Sequence, residues 1–407
     1  MKARRMQGSR WTPGLAAAVM ATGCFSVPPY EPDNAVSFTA SAAGGGTATG
    51  AGFALRFADG PGFHFPDKLL IDDADVMGHD QAQTCFNEDE VGFRIVPTAR
   101  ITATGAAPAV KNLLVPALRG PAVTQVKLDW ATQFNCDATR APGGTSTYTM
   151  FPDGRIVRFD TIADAVSNEI VPSKCACETP SRSEDLLFTI STHWTLARTS
   201  FETLSFDSNT NRLPDDGQEV AANFDATCIA RDSYQVAVAW PASMASPMGL
   251  RTATRGRASL IEFRRDLDLG ASQLKAFSYD NSSAIFIERA GCDAAFKRAN
   301  EHARPSALTI NGTSMKPSIR DGIYGGDAGD GLPPGIDLPD KRAELSGTVN
   351  SSFAVWLRFP GSTDAIHATL AGKTGAWYMP QQVDDRTWIV WFRDPIGAGQ
   401  TVTVEPR

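Results

Sequence analysis

Short apolar runs separated by clusters of turn residues repeat along most of the chain. From residue 53 onward, runs rich in Val, Ile, Phe and Thr alternate with clusters of Gly, Pro, Asp and Asn. β-branched and aromatic residues favour strands, and such clusters favour turns. The predicted strands cover residues 53–57, 91–96, 99–103, 123–130, 145–151, 155–159, 186–196, 201–206, 234–240, 259–263, 274–279, 284–288, 307–310, 347–359, 365–370, 387–392 and 401–404. A short helix is expected only at residues 292–302, so the sequence predicts an all-β fold.

The most secure local prediction is a hairpin of strands 145–151 and 155–159. The connection consists of Pro152, Asp153 and Gly154. Proline fixes φ at the first turn position, and glycine supplies the positive φ that closes a hairpin with a bulge.

The pair Arg304 and Pro305 follows the predicted helix and starts a last segment with strands of its own. We therefore expect a large antiparallel β-sandwich over residues 51–304 and a smaller C-terminal β-sandwich-like segment over residues 305–407. The last segment could equally supply its strands to the sheets of the first.

The N-terminus has the pattern of an export signal. A basic start precedes a short apolar run at residues 15–20 and small residues at 21–23, and Cys24 follows. The run from Ala21 to Cys24 resembles the lipobox of bacterial lipoproteins. This resemblance implies a signal peptide over residues 1–23, diacylation of Cys24 and a lipid anchor in the membrane. Phe25, where Asp would imply the inner membrane, implies the outer membrane by the same resemblance.

Residues 24–50 are predicted to be the lipidated cysteine and a flexible spacer, because they are rich in Pro, Ser, Ala, Thr and Gly. Removing residues 1–23 takes four basic residues and no acidic ones from a chain of charge −7, which leaves −11. The nearest approach to a basic surface, around Arg251 and Arg264, is interleaved with acids such as Glu262. Nucleic acid is therefore not an expected partner.

Six cysteines remain in the exported chain, and an even number predicts up to three disulfides. We favour a bond between Cys85 and Cys136, and bonds from the pair Cys175 and Cys177 to Cys228 and Cys292. The spacing of Cys175 and Cys177 does not suit a zinc site. The sequence does not settle the pairing.

The predicted hairpin, over residues 148–157, resembles a strand pair of the large β-sandwiches found in polysaccharide lyases and galactose-mutarotase-like proteins. The resemblance covers a few dozen residues and implies a carbohydrate context. Elimination from a sugar acid needs a base and an acid across one ring. Tyr148 and His193 are the candidate catalytic pair for that reaction, although a core or sheet-surface histidine is the alternative reading of His193.

Ser314, followed by Met315, resembles the nucleophile of signal-peptidase-like and repressor-cleaving serine peptidases, in which a lysine activates the serine. Those families place the lysine within an apolar strand. Here the later lysines, Lys341 and Lys373, lie in polar turns, so an ordinary turn is the alternative.

Two further features could bind ligands. Asp321, Asp327 and Asp330 lie among glycines, and oxygen-rich loops suit Ca²⁺, although a solvated turn region is the alternative. Trp377 and Tyr378 lie between Gly375 and Pro380, where flat aromatic faces could stack on a sugar or a partner.

These observations favour a lipid-anchored protein of the cell envelope that is not an enzyme and binds a glycan or a protein partner. The first alternative is a lyase-like enzyme acting on envelope polysaccharide at Tyr148 and His193. The second is a serine peptidase at Ser314. No cofactor is expected, apart from the candidate Ca²⁺.

Overall fold

The computed structural model describes residues 35–59, 66–77, 113–131, 140–166, 194–206, 209–212, 219–222, 225–244, 249–255, 258–264, 277–326, 335–370 and 377–407. Strands dominate these residues, and all strand pairs but one are antiparallel. The predicted all-β sandwich fold is confirmed. Strands are numbered below in chain order.

The central element is a nine-stranded antiparallel sheet. Its strands, from one edge to the other, are β12 (Asn209–Arg212), β11 (Thr203–Phe206), β14 (Ala226–Arg231), β15 (Tyr234–Ala239), β18 (Phe277–Glu288), β9 (Arg155–Val166), β8 (Arg140–Met150), β7 (Thr124–Ala131) and β6 (Leu113–Leu118).

A second layer is made of two smaller sheets that meet at their edges. The first is a meander of β1 (Ser37–Ala40), β2 (Gly46–Gly50), β3 (Phe53–Phe57), β4 (Pro66–Ile71) and β5 (Ala74–Asp75). The other has the order β10 (Trp194–Ala197), β17 (Ala258–Arg264), β16 (Gly249–Arg255) and β13 (Glu219–Ala222). Met77 forms a β-bridge with Leu196, and the N–H of Ala197 donates to the carbonyl of Val76 at 2.9 Å. The two sheets are therefore joined by backbone hydrogen bonds.

The main core fills the space between these layers. Alternate residues of β3, Phe53, Leu55 and Phe57, are buried there and meet residues of the nine-stranded sheet such as Met150 and Ile285. In a strand, every second side chain points to the same face, so a strand with one buried face has apolar residues at alternate positions in the sequence.

The one α-helix among the described residues, α1 (Cys292–Ala303), lies on the other face of the nine-stranded sheet, against β14, β15 and β18. Its buried residues are Ala295, Phe296, Ala299 and Ala303, which share one side of the helix. The predicted helix is confirmed.

The C-terminal residues form a second sandwich with its own core. One sheet has the order β20 (Thr313–Met315), β19 (Leu308–Ile310), β22 (Ala343–Gly347), β27 (Thr401–Pro406) and β24 (Ile366–Leu370). Facing it are β21 (Ile336–Asp337), β23 (Phe353–Arg358), β26 (Thr387–Phe392) and β25 (Tyr378–Gln382). Of the strand pairs, β21 with β23 is the parallel one.

The outer face of this second sheet packs on the nine-stranded sheet and on α1. Trp356, Ile389 and Trp391 are buried in one cluster with Phe286 and Phe296. The nine-stranded sheet is therefore covered on both faces, and the C-terminal sandwich meets the main body along a continuous apolar contact.

Two local predictions need correction. The predicted spacer includes residues that form β1 and β2. Ala48 on β2 is fully buried in the main core, in one cluster with Phe38 of β1 and Phe57 of β3. Small side chains there let the backbone pair closely, and the composition alone does not reveal this. Of the two strands predicted over residues 274–279 and 284–288, the described part, from Phe277, is one strand, β18, although it carries the polar run Asp280, Asn281, Ser282 and Ser283.

The predicted pairing of Cys228 and Cys292 with Cys175 and Cys177 is also wrong. Cys228 and Cys292 are bonded to each other, with their Cα atoms 5.8 Å apart. Cys228 lies on β14, on the face that α1 covers, and Cys292 is the first residue of α1. The predicted presence of a disulfide is confirmed; Cys85, Cys136, Cys175 and Cys177 lie outside the described residues.

Candidate functional site

A cleft of about 540 Å³ opens where the hairpin turn, α1 and the C-terminal sandwich meet, and we call it the junction cleft. It is lined by Ala51, Pro152, Asp153, Ile287, Glu288, Arg289, Ala294, Lys297, Arg298, Asn350, Ser351, Ser352, Trp391, Arg393 and Pro395. Its volume lies within the range of roughly 300–1,000 Å³ typical of small-ligand sites.

The turn between β8 and β9 places Asp153 in the cleft wall. Gly154 has a φ of 78°, and its N–H donates to the carbonyl of Phe151 at 3.2 Å, which closes the predicted hairpin. A Cβ at Gly154 would lie 3.1 Å from the carbonyl oxygen of Ile287. Glycine is required here by both the left-handed backbone and the close approach of β18.

Arg298 is the centre of the charged network in this wall. Its Nη2 lies 3.0 Å from Oδ2 of Asp153 and donates to the carbonyl of Asp153 at 2.8 Å. Its Nη1 lies 3.3 Å from Oε2 of Glu288. The side chain is 14% exposed, and its guanidinium carbon lies 5.4 Å from the ring centroid of Phe286. One guanidinium therefore holds both carboxylates that line the cleft.

Asp153 also ties the main body to the C-terminal sandwich, because the hydroxyl of Ser352 donates to its Oδ2. Burial alone would raise the pKa of Asp153. The charges of Arg298 and Arg155, with hydrogen bonds from Ser352 and from the backbone N–H of Arg155, outweigh burial and leave the pKa below its ordinary value of 3.8. Asp153 is therefore held as an anion at neutral pH.

The mouth of the cleft is basic. Arg289 makes a bidentate pair with Asp72, with both nitrogen–oxygen distances 2.6 Å. Arg393 lies with its guanidinium carbon 5.4 Å from the ring centroid of Trp377 and its Nε 3.4 Å from Asp394. Lys297 is exposed on α1 and has no ion pair within the described part of the chain. Four basic and two acidic side chains line the cleft, so the lining has a net charge of +2, and Asp72 and Asp394, which pair with two of the four, lie outside the lining.

Tyr148, one of the predicted catalytic pair, lies in the main core instead. It is 1% exposed, with its ring centroid 5.3 Å from that of Phe57 and 6.4 Å from that of Trp194. Burial raises its pKa, and the nearby charge of Arg158 only partly opposes this. As a result, Tyr148 remains a neutral phenol across the physiological pH range.

Tyr148 belongs to a buried polar row across three adjacent strands. Tyr148 on β8 pairs with Arg158 on β9, and Arg158 pairs with Ser283 on β18. Arg158 forms an ion pair with Asp160 at 2.9 Å, in which both side chains are almost wholly buried. The indole N–H of Trp194 donates to the hydroxyl of Ser283 at 2.9 Å. This row explains why polar residues interrupt β18 without ending it.

The other candidates lie apart from one another. Ser314 is exposed on the short edge strand β20. Asp321 is buried, and its Oδ1 accepts a hydrogen bond from the N–H of Ile323 at 3.0 Å. Tyr378 is 3% exposed and packs against Phe392, so its ring is part of the C-terminal core. Trp377 is half-buried beside Arg393.

Several predicted site residues lie outside the described residues, namely Cys24, His193, Asp327 and Asp330. Over the residues that are described, no group of three His, Cys, Asp or Glu side chains is placed to hold a metal ion. No helix in that part of the chain is both long and apolar enough to cross a bilayer.

Sequence reasoning did not find the junction cleft. Its residues come from positions 51 to 395, and no spacing rule brings such distant positions together. The available signal was the mixture of charges in α1, where Lys297 and Arg298 follow the buried Phe296. Asp153 was identified only as a turn residue.

Comparisons with known proteins find only solved structures of low similarity. Neither a protein-family model nor a curated protein matches the sequence. A heparan sulfate lyase from Pedobacter heparinus has 10% identity and a TM-score of 0.33, with 68% of this chain and 38% of the lyase covered. An α-N-acetylgalactosaminidase from Bifidobacterium bifidum has 9% identity and a TM-score of 0.33, with 66% and 37% covered. The chain thus spans well under half of the length of these enzymes, and a likeness this low carries no conclusion about activity.

Proposed function

We propose that this protein is a lipid-anchored component of the cell envelope that binds a glycan or a protein partner in the junction cleft and does not transform it. The anchor at Cys24 and the location in the outer membrane rest on the sequence. The binding site rests on the cleft itself.

The contact of Arg298 with both carboxylates of the cleft carries the proposal. A general acid must hold a proton near the working pH, and a general base must have a pKa close to it. The pKa of Asp153 is depressed, and Asp153 and Glu288 both contact Arg298. This arrangement supports a rigid wall that offers hydrogen bonds and charge to a ligand, rather than an acid–base pair.

The aromatic residues beside the cleft support the same function. Trp391 forms part of the wall, and Trp377 supports Arg393 at the rim. Trp391 is 1% exposed, so Trp377, which is half-buried, provides the aromatic surface against sugar rings or protein side chains. The prediction that Trp377 contributes to binding thus stands as part of the proposal.

One observation favours the alternative, an enzyme acting on polysaccharide. Trp194, the residue after His193, contacts the ring of Tyr148. A lyase-like reaction at this pair requires Tyr148 to reach a substrate, and Tyr148 is 1% exposed. The binding function is therefore the one that the geometry supports better.

The test is a glycan-array screen of the full chain in detergent micelles, with the mass of each bound glycan measured before and after incubation. Binding with unchanged mass is the expected result. Ala51→Trp should reduce binding, because Ala51 is an exposed residue of the cleft and a larger side chain there obstructs the mouth. Ala43→Trp is the matched control, since Ala43 is exposed in the preceding turn and does not line the cleft.

Other results would change the assignment. Shortened or unsaturated products that disappear in Tyr148→Phe would replace the binding function with a lyase-like one. Binding that is unaffected by Ala51→Trp would mean that the junction cleft is not the site.

A further inference from the structure

The charge of the junction cleft is opposite in sign to that of the whole chain. The cleft carries a net +2, whereas the chain has a formal charge of −7. A concave surface with low-dielectric walls concentrates the field of its charges and attracts ligands of opposite sign. An acidic protein that concentrates positive charge in one cleft is equipped to bind an anion there.

The four basic residues are not equivalent. Arg298 forms ion pairs with Asp153 and Glu288, at 3.0 and 3.3 Å. It therefore offsets one of the two negative charges of the wall, and the cations of the mouth are left to face a ligand. Lys297 is the neighbouring residue on α1, and it is exposed.

Arg289 and Arg393 extend this basic mouth to two sides. Their side chains are 44% and 43% exposed, so both remain accessible to a ligand although each pairs with an aspartate. The contact with Trp377 supports the planar guanidinium of Arg393. A supported guanidinium presents two parallel N–H groups, which suits the two oxygens of a carboxylate or a sulfate.

We propose that the junction cleft binds an acidic glycan, whose carboxylate or sulfate groups pair with Lys297, Arg289 and Arg393 while its sugar rings lie against the cleft wall. This inference rests on the proposed binding function and specifies its ligand class. Exposed apolar residues of the lining, such as Ala51 and Pro395, and cations in the same cleft suit a ligand that has both apolar ring faces and anionic groups.

The experiment compares pairs of probes that share a sugar backbone, in which one member carries anionic groups and the other is uncharged. Oligogalacturonate is compared with its fully methyl-esterified form, and dextran sulfate is compared with dextran. Binding to the full chain in detergent micelles is measured by calorimetry at low and high salt. The acidic member of at least one pair should bind about tenfold more tightly, because three accessible cations contribute. Raising the salt should reduce that advantage, because salt screens exposed charges.

Charge-removing variants locate the interaction. Lys297→Gln should weaken binding of the acidic probe roughly two- to fivefold, as expected for one exposed ion pair. Lys316→Gln is the control, since Lys316 is also exposed and does not line the cleft. Lys316→Gln should leave the affinity for the acidic probe unchanged. The carboxylate and sulfate pairs tell which anionic group is recognised.

The two proposals fail in different ways. Equal affinity for the charged and uncharged members, with binding still reduced by Ala51→Trp, would overturn the acidic ligand and leave the binding function standing. A preference for the acidic probe that Lys297→Gln does not change would also overturn the assignment to this cleft. No binding of any probe here or on the glycan array would overturn glycan binding itself.

Discussion

Replacing Arg298 by methionine should destabilise the protein more than any exposed charge substitution. Methionine keeps much of the unbranched side chain in place of the arginine and removes the guanidinium. The change leaves Asp153 and Glu288 without the cation that lies 3.0 and 3.3 Å from them. The carbonyl of Asp153 also loses its donor at 2.8 Å.

The magnitude follows from burial. Removing one partner of a buried ion pair costs about 3–5 kcal/mol, because the other charge stays buried. The side chains of Asp153 and Glu288 are 13% and 20% exposed, so water solvates part of the charge that is left. We therefore expect a loss of about 3 kcal/mol in the free energy of unfolding.

Arg304→Met is the matched control on the residue that follows α1. Arg304 pairs with Asp225, but its side chain is 75% exposed. An exposed pair contributes about 0–1 kcal/mol. Urea unfolding of both variants, followed by tryptophan fluorescence at pH 7, measures the difference. Equal losses for Arg298→Met and Arg304→Met would refute the view that Arg298 holds a buried network.

Three further predictions concern the same region of the fold. Asp153→Asn should lower the free energy of unfolding by about 2–4 kcal/mol at neutral pH. Because the folded-state pKa of Asp153 lies below 3.8, this stabilisation is present above that value and is lost as the pH falls through the folded pKa. The unfolding curves of wild type and variant should therefore converge below about pH 4. Curves that stay equally far apart at low pH would contradict it. Replacing both Cys228 and Cys292 by alanine should cost about 4 kcal/mol, since the bond closes a separation of 64 residues, and thermal unfolding with and without reductant checks this. A reductant effect on the double variant as large as that on the wild type would assign the loss to other cysteines. Gly154→Ala should lower the free energy of unfolding by about 1–2 kcal/mol, because φ is 78° and a carbonyl oxygen lies 3.1 Å from the new Cβ. Gly361→Ala is the control, since no atom lies within 4 Å of its new Cβ, and it should be close to neutral in the same urea assay.

Features set by local chemistry were predictable from the sequence. The hairpin at Gly154 was predictable because proline and glycine fix the backbone at neighbouring positions. The helix from Cys292 to Ala303 was also predictable, because its apolar residues recur with helical spacing and Arg304 and Pro305 follow it.

Features that depend on distant contacts were not predictable. Ser282 and Ser283 lie between two predicted strands, yet one strand runs through them because the buried polar row and a neighbouring loop give them partners, such as Trp194 and the carbonyl of Ile319. The pairing of Cys228 with Cys292 depends on α1 lying across β14, which no spacing rule specifies.

The candidate site shows the same division. Trp377 was identified from an aromatic pair beside glycine and proline, and it lies beside Arg393 at the rim of the cleft. Lys297 and Asp153 gave no signal of their own, because the cleft exists only where the two sandwiches and α1 meet. The charge that faces a ligand is therefore a property of the assembled fold.

Lysine footprinting of the full chain is the most direct test of binding in the junction cleft. An amine acetylating reagent is applied with and without a glycan identified on the array, and the modification of Lys297 and Lys316 is measured by mass spectrometry. The account predicts that the glycan slows modification of Lys297, leaves Lys316 unchanged and keeps its own mass. Equal modification of Lys297 with and without bound glycan, or a glycan that is cut during the incubation, would contradict it.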